Sequence, residues 1–204
     1  MNALTAHLRT YDLGIDARRA LAGYQIAEVA AWRTRKEELS LSIARAEAVR
    51  LAKRITALDG ELSENKNSLE ALVVKSLAAT LLPITGIGPV NAAVIYAAWS
   101  HPGRIRSEAA FAHLAGTAPI PASSGNTVRH RLNRGGDRQL NSALYIAVIV
   151  RMGQDPETRE YVEKRRAEGR TSKEIQRCLR RYLARKVYRT LNAAHANPPV
   201  WLDI

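Results

Sequence analysis

Apolar positions recur at steps of three and four over most of this chain. From Leu41 they run Leu41, Ala44, Ala48, Leu51, Ile55, Leu58 and Leu62, then polar Asn65, then Leu69 and Leu72. Continuous helix through this heptad seam would span about 48 Å at ~1.5 Å per residue. Arg45, Glu47, Arg50, Lys53, Arg54, Glu61, Glu64 and Lys66 fall between the apolar positions and make a solvated face. Asp59-Gly60 and Asn65-Lys66-Asn67-Ser68 hold poor helix formers, so the seam is either one coiled coil or a helical hairpin. A second periodic stretch opens on the capping box Thr171-Ser172-Lys173-Glu174 and continues with Ile175, Leu179, Tyr182, Leu183, Val187 and Leu191 on one face. Cys178 lies beside that face, which predicts a core thiol and not a nucleophile. Thirty-three alanines and few β-branched runs complete an all-α expectation.

Between these stretches lies a run without charge, 28 residues from Lys75 to Arg104. Pro83, Gly86, Gly88 and Pro89 cut it into pieces shorter than the ~20 residues a membrane span requires, so it reads as buried core. Its centre, Leu82 to Ile95, contains Gly86-Ile87-Gly88 and the small pair Ala92-Ala93. That pattern reads as a helix-hairpin-helix: the glycines permit a tight turn, Ile87 plugs the core, and backbone N–H groups at the second helix start can take a phosphate. A plain αα-hairpin with a Gly-rich turn is the alternative.

Charge changes the picture. The 204 residues carry Lys+Arg 31 against Asp+Glu 19, a formal net charge of +12, which points to a polyanionic partner. Residues 1–80 hold 12 basic and 10 acidic residues, net +2, and residues 81–204 hold 19 and 9, net +10. The polyanion is therefore expected at the C-terminal part. The periodic C-terminal helix carries Arg177, Arg180, Arg181, Arg185, Lys186 and Arg189, after Lys164, Arg165, Arg166 and Arg170. The single cysteine excludes an internal disulfide and suits a reducing compartment, the cytoplasm. The opening MNALTAHLRTYDLG lacks the apolar run of a secretory signal.

Ser107 reads as the N-cap of a short helix ending at Gly116, with His113 structural. The next segment, Thr117-Ala118-Pro119-Ile120-Pro121-Ala122-Ser123-Ser124-Gly125-Asn126-Thr127, is not helical, and Thr127 to Leu132 allows a short strand. A serine loop facing Arg129, His130, Arg131, Arg134 and Arg138 is a candidate phosphoryl-transfer site, because guanidiniums stabilise charge developing on phosphorus. A phosphate-binding loop without chemistry fits the same residues.

Together these blocks resemble one family: ITGIGPVNAAVI, Trp-Ser-His-Pro-Gly-Arg, Phe-Ala-His-Leu-Ala-Gly, Ala-Pro-Ile-Pro-Ala-Ser-Ser-Gly-Asn-Thr, Leu-Asn-Arg-Gly-Gly-Asp-Arg-Gln-Leu-Asn and Glu-Gly-Arg-Thr. It is that of the insertion-sequence transposases combining a RuvC-like domain with a serine-bearing C-terminal domain, related to the pilin-gene inverting recombinase and the bridge-RNA-guided recombinases. The likeness runs from about Tyr11 to Leu191. It implies a nucleophilic serine at Ser124, with Ser123 one register away, that forms a phosphoserine intermediate with DNA. Arg129, Arg131, Arg134 and Arg138 would be phosphate ligands, and Asp137 the cap of a helix from Gln139 to Val150. Further DNA contacts are expected from Gly86, Ile87, Gly88, Arg177 and Arg181.

The family's RuvC-like domain binds Mg²⁺ through four acidic residues, and this sequence is expected to start after it. Asp12, Asp16 and Glu28 lie in a helical lead-in without strand pattern and do not replace them. No metal ligands are therefore assigned here, and Mg²⁺ is expected only with a RuvC-like domain on another chain, this one being inactive alone. The expected organisation is a lead-in at 1–40, a coiled-coil linker at 41–78, a transposase domain at 79–192 and a tail at 193–204. Expected partners are DNA, a guide-like RNA in keeping with the RNA-guided members, and a second copy through the coiled coil, with no membrane. Phosphate-reading residues without a recognition helix imply weak sequence preference. Two rival functions remain: a non-catalytic DNA- or RNA-binding remnant, and a coiled-coil interaction module.

Overall fold

Alanine at four-residue spacing, Ala44, Ala48 and Ala52, gives the longest helix a flat face on which other helices close. In the computed structural model, which describes residues 2–126, 130–131, 133 and 135–199, this helix belongs to the first of two units, Met1–Asn67 and Ser68–Ile204. Unit 1 contains α1 (Asn2–Thr10), α2 (Gly23–Ala30) and most of α3 (Leu39–Val74). Leu4, Leu8, Leu13, Leu21, Ile26 and Val29 pack on the three alanines. The His7 Nε2 lies 2.7 Å from the Ala44 carbonyl; a carbonyl only accepts, so this nitrogen carries the proton. Arg9 donates to the carbonyls of Ala17 and Arg18 at 2.7 and 2.9 Å, fixing the α1–α2 loop.

Helix α3 is continuous, so the hairpin alternative at Asp59-Gly60 or Asn65 does not occur. From Thr56 to Ser68 every residue is exposed, including Leu58 and Leu62 of the seam.

Unit 2 begins with the end of α3 and a 3-10 helix, Leu77–Leu81, capped by Ser76. Then follow α4 (Pro89–Trp99), α5 (Glu108–Leu114), the strands β1 (Ile120–Pro121) and β2 (His130–Arg131), α6 (Arg138–Gln154), α7 (Pro156–Ala167) and α8 (Ser172–Ala196). The strands pair antiparallel, Ile120 with Arg131 and Pro121 with His130. They are the only sheet among the described residues, and the protein is predominantly helical, as the periodicity predicts.

The uncharged run is core. Ile84, Ile87, Ala92, Ile95 and Trp99 are buried with Leu81, Phe111, Leu140, Leu144, Leu183, Val187 and Leu191. Among the described residues no helix is long and apolar enough to cross a membrane. Gly86 has φ +87°, and a Cβ there would strike the Ala147 carbonyl of α6, so its place is set by packing. Of the predicted hairpin residues, Ile87 is buried and Gly88, the N-cap of α4, is exposed.

Local signals account for most helix starts. Ser107 Oγ accepts from Ala110 N at 3.1 Å, and Thr171 with Glu174 forms the expected capping box. Asp155 ends α6 and caps α7: its carboxylate accepts from Thr158 N at 3.1 Å, from the Thr158 hydroxyl and from Arg151 at 2.7 Å. These bonds, the Thr158 hydroxyl's first and then the Arg151 charge, hold the Asp155 carboxyl below its ordinary value.

Candidate nucleic-acid interface

The capping box fixes where α8 starts, and with it which arginines turn to the same side. Residues 174, 177, 178, 181 and 185 follow helical spacing and line one cleft of about 610 Å³. Its opposite wall is Gly116 to Pro119 with Arg131 of β2 and Asn133, and Arg165 of α7 also lines it. Among the described residues the lining holds seven arginines, at 131, 165, 170, 177, 180, 181 and 185, and one acid, Glu174.

Three of the seven have a carboxylate within 4.0 Å. Arg165 pairs with Glu168, Arg170 with Glu174 at 3.9 Å and Arg185 with Glu108 at 4.0 Å. Among the described residues Arg131, Arg177, Arg180 and Arg181 have no carboxylate within ion-pair distance. Arg180 Nη1 donates to Asn141 Oδ1 at 3.2 Å, and its guanidinium lies 5.8 Å from the Tyr145 ring. The Arg180 Nε and the Arg181 Nη1 are buried without a hydrogen-bond partner. Burial, and then the charge of Arg177 for Arg180 and of Arg185 for Arg181, lowers both guanidiniums from the ordinary arginine value.

A second cleft of about 480 Å³ shares Asn133 and Arg180 with the first and adds Arg138, Asn141, Ser142 and Tyr145. Its floor is the Gly135-Gly136-Asp137 turn. Gly136 has φ +97°, and any Cβ would strike the Leu114 carbonyl, to which Asp137 N donates at 2.7 Å. Asp137 caps α6 as the sequence implies, accepting from Gln139 N and Leu140 N at 2.8 and 3.0 Å. That helix runs longer at both ends than expected, Arg138–Gln154. Asn133 Nδ2 donates to the His113 carbonyl at 3.2 Å, and Asn141 Nδ2 to the Ala115 carbonyl at 2.6 Å.

The structure thus brings Arg131, Arg177 and Arg181 to one cleft and Arg138 to the adjoining one. Ser123 and Ser124 are exposed in the loop after β1 and line neither cleft. Gly86, Ile87 and Gly88 line neither. Arg129 and Arg134 lie outside the described residues. Cys178, expected in the core, is half-buried on the cleft wall, because it shares a helix face with Arg181 and Arg185. Among the described residues no three His, Cys, Asp or Glu side chains converge, so they offer Mg²⁺ no donor set. Arg180, Arg165 and Asn141 were not among the predicted site residues. Arg180 stands beside Arg181 in a uniformly basic stretch, and only its contact with α6 sets it apart.

Fold and cleft define a helical domain with an arginine-lined cleft. Residues 78–163, from the 3-10 helix into α7, match the model of the transposase IS116/IS110/IS902 family. The chain is 32% identical over 127 residues to an uncharacterized 43.6 kDa protein of insertion element IS110 from Streptomyces coelicolor, covering 59% of this chain and 30% of that protein. It is 32% identical over 124 residues to an uncharacterized 42 kDa protein of insertion element IS900 from Mycobacterium paratuberculosis, covering 59% of this chain and 31% of the relative. The chain therefore spans about a third of the length of these curated relatives. Unit 2 carries a segment similar to the insertion-sequence transposases, and α8 lies beyond the span the family model matches.

Proposed function

We propose that this protein acts in DNA transposition as the DNA-binding, serine-bearing part of a recombinase. The observation that carries the reading is the match of residues 78–163 to transposases, in a unit whose main cleft is lined by seven arginines. Arg131, Arg138, Arg177 and Arg181 bind DNA through its phosphates, joined by Arg129, Arg134 and the Gly86-Ile87-Gly88 backbone, and position it without choosing a sequence.

In strand exchange, the Ser124 hydroxyl oxygen bonds to a DNA phosphorus and one phosphorus–oxygen bond to deoxyribose breaks. The serine proton is lost and the departing deoxyribose oxygen gains one. Guanidiniums at 131 and 138 stabilise the charge on the phosphoryl oxygens. Attack by a hydroxyl of another strand on the phosphoserine reverses the step and restores the serine. A RuvC-like domain and the Mg²⁺ it would hold would supply the charge neutralisation that the described residues do not. The exposed Leu58 and Leu62 of α3 meet a second copy in a coiled coil, and a guide-like RNA is a further partner at the basic face.

Trapping tests this reading. The chain is incubated with intact and nicked duplex and Mg²⁺, with and without a RuvC-like domain, alongside Ser124→Ala and Ser123→Ala. A denaturation-resistant adduct lost only in Ser124→Ala is the expected result. A second reading, a non-catalytic nucleic-acid-binding remnant, is favoured by the position of both serines outside the clefts. It predicts salt-sensitive DNA binding without an adduct.

A further inference from the structure

Tyr182 lines the first cleft and Tyr145 the second, 52% and 43% exposed, and contact with phosphates alone requires neither ring. Both rings are held in place. Tyr182 meets Tyr161 edge to face with 6.0 Å between centroids, and the Arg180 guanidinium lies 5.8 Å from the Tyr145 ring. The two clefts adjoin, sharing Asn133 and Arg180 in their linings. Arg131 and Arg177 in the first and Arg138 in the second are exposed and, among the described residues, have no carboxylate within ion-pair distance. The acids of the linings are engaged elsewhere: Glu174 accepts from Thr171 N and Oγ1 at 2.9 and 2.8 Å, and Asp137 caps α6.

We propose that the adjoining clefts form a groove for one unpaired DNA strand, with Arg131, Arg138 and Arg177 at its phosphates and Tyr182 and Tyr145 stacked on its bases. The proposal deepens the DNA-binding reading above and rests on it. Exposed cations beside exposed aromatic rings are the two parts that a single strand uses: its charge follows the backbone, and each unpaired base has a free face. A double helix keeps its base faces stacked on one another and leaves the two tyrosines without a partner. Size points the same way. The cavities, about 610 and 480 Å³, fall within the roughly 300–1,000 Å³ of pockets that enclose one small ligand. Such a space admits nucleotides of one strand, whereas a duplex can only lie across the mouth and meet the arginines there.

The test uses the full chain and three fluorescein-labelled probes of equal length at one salt concentration: an oligothymidine strand, the same strand with abasic sites throughout, and a blunt duplex. Affinity is read by anisotropy for wild type, Tyr182→Ala, Tyr182→Phe, Tyr145→Ala and Arg177→Gln. Wild type is expected to bind the strand about tenfold more tightly than the duplex, and to lose that advantage on the abasic strand, which has the same phosphates and no bases to stack. Each alanine variant is expected to bind the strand about fivefold to tenfold more weakly with duplex binding unchanged, and Tyr182→Phe to bind like wild type, since stacking does not need the hydroxyl. Arg177→Gln weakens both probes. Duplex bound as tightly as the strand, or an abasic strand bound as tightly as oligothymidine, would overturn the groove and leave the DNA reading standing. Strand binding unchanged in both alanine variants would do the same. Wild type binding none of the probes would end both.

Discussion

Arg45 in unit 1 is buried, Arg180 and Arg181 in unit 2 are half-buried, and each of the three hides one nitrogen without a partner, yet their charges are settled in opposite ways. Arg45 Nε and Nη2 donate to the two Glu37 carboxylate oxygens at 2.8 and 2.9 Å, with the Trp32 ring 4.9 Å from its guanidinium. One nitrogen, Nη1, has no partner. This bond, before any other cause, holds the Glu37 carboxyl below and the Arg45 guanidinium above their ordinary values. Arg180 and Arg181 have no such carboxylate, and burial lowers both. The Arg45 charge is matched by an acid of its own unit, whereas Arg180 and Arg181 line a cleft with many arginines and one acid, a difference that composition alone does not show.

Predictions that bear on this contrast span several kcal/mol. The Arg45 and Glu37 side chains are 9% and 14% exposed, so Glu37→Gln strands a buried cation and is expected to cost about 3–5 kcal/mol in chemical denaturation. Gly136→Ala meets both a positive φ and the Leu114 carbonyl. It is expected to cost about 2 kcal/mol and to weaken duplex binding by displacing the floor of the second cleft. Asp155→Asn is expected to cost about 1 kcal/mol at neutral pH, as a lost helix cap. Because the native Asp155 carboxyl lies below its ordinary 3.8, its contribution is complete above that pH. It fades as pH falls through the native value, where wild type and variant converge in urea titrations. Smallest is Arg181→Met, for which differential scanning calorimetry is expected to show an unchanged or slightly raised melting temperature. A clear fall there would make Arg181 a structural residue like Arg45.

How far the sequence reaches depends on how local each signal is. The caps Ser107, Asp137 and Thr171 act on residues two or three positions away, so their helix starts are legible. Asp155-Pro156 is an equally local start signal for α7, an N-cap followed by proline at the first helical position. Ala44 and Ala48 were legible as part of a seam, which did not include Ala52, but the same spacing serves packing within a chain or between chains. Only the buried Leu4, Leu8 and Val29 show that this half packs within unit 1. Arg180 differs from its neighbours through Asn141, which lies 39 residues away in sequence, and no pattern of charges reveals that. The Gly135-Gly136-Asp137 block stands out in the sequence as a motif, but its reason, the close approach of the Leu114 carbonyl, is tertiary.

The most direct measurement is the salt dependence of duplex binding by wild type and by the Arg180→Gln, Arg181→Gln double variant. Each phosphate held by the protein releases counterions and steepens the plot of log affinity against log salt. Removing two cleft arginines is therefore predicted to give a weaker complex with a shallower slope. Equal affinity and equal slope for the two proteins would contradict it.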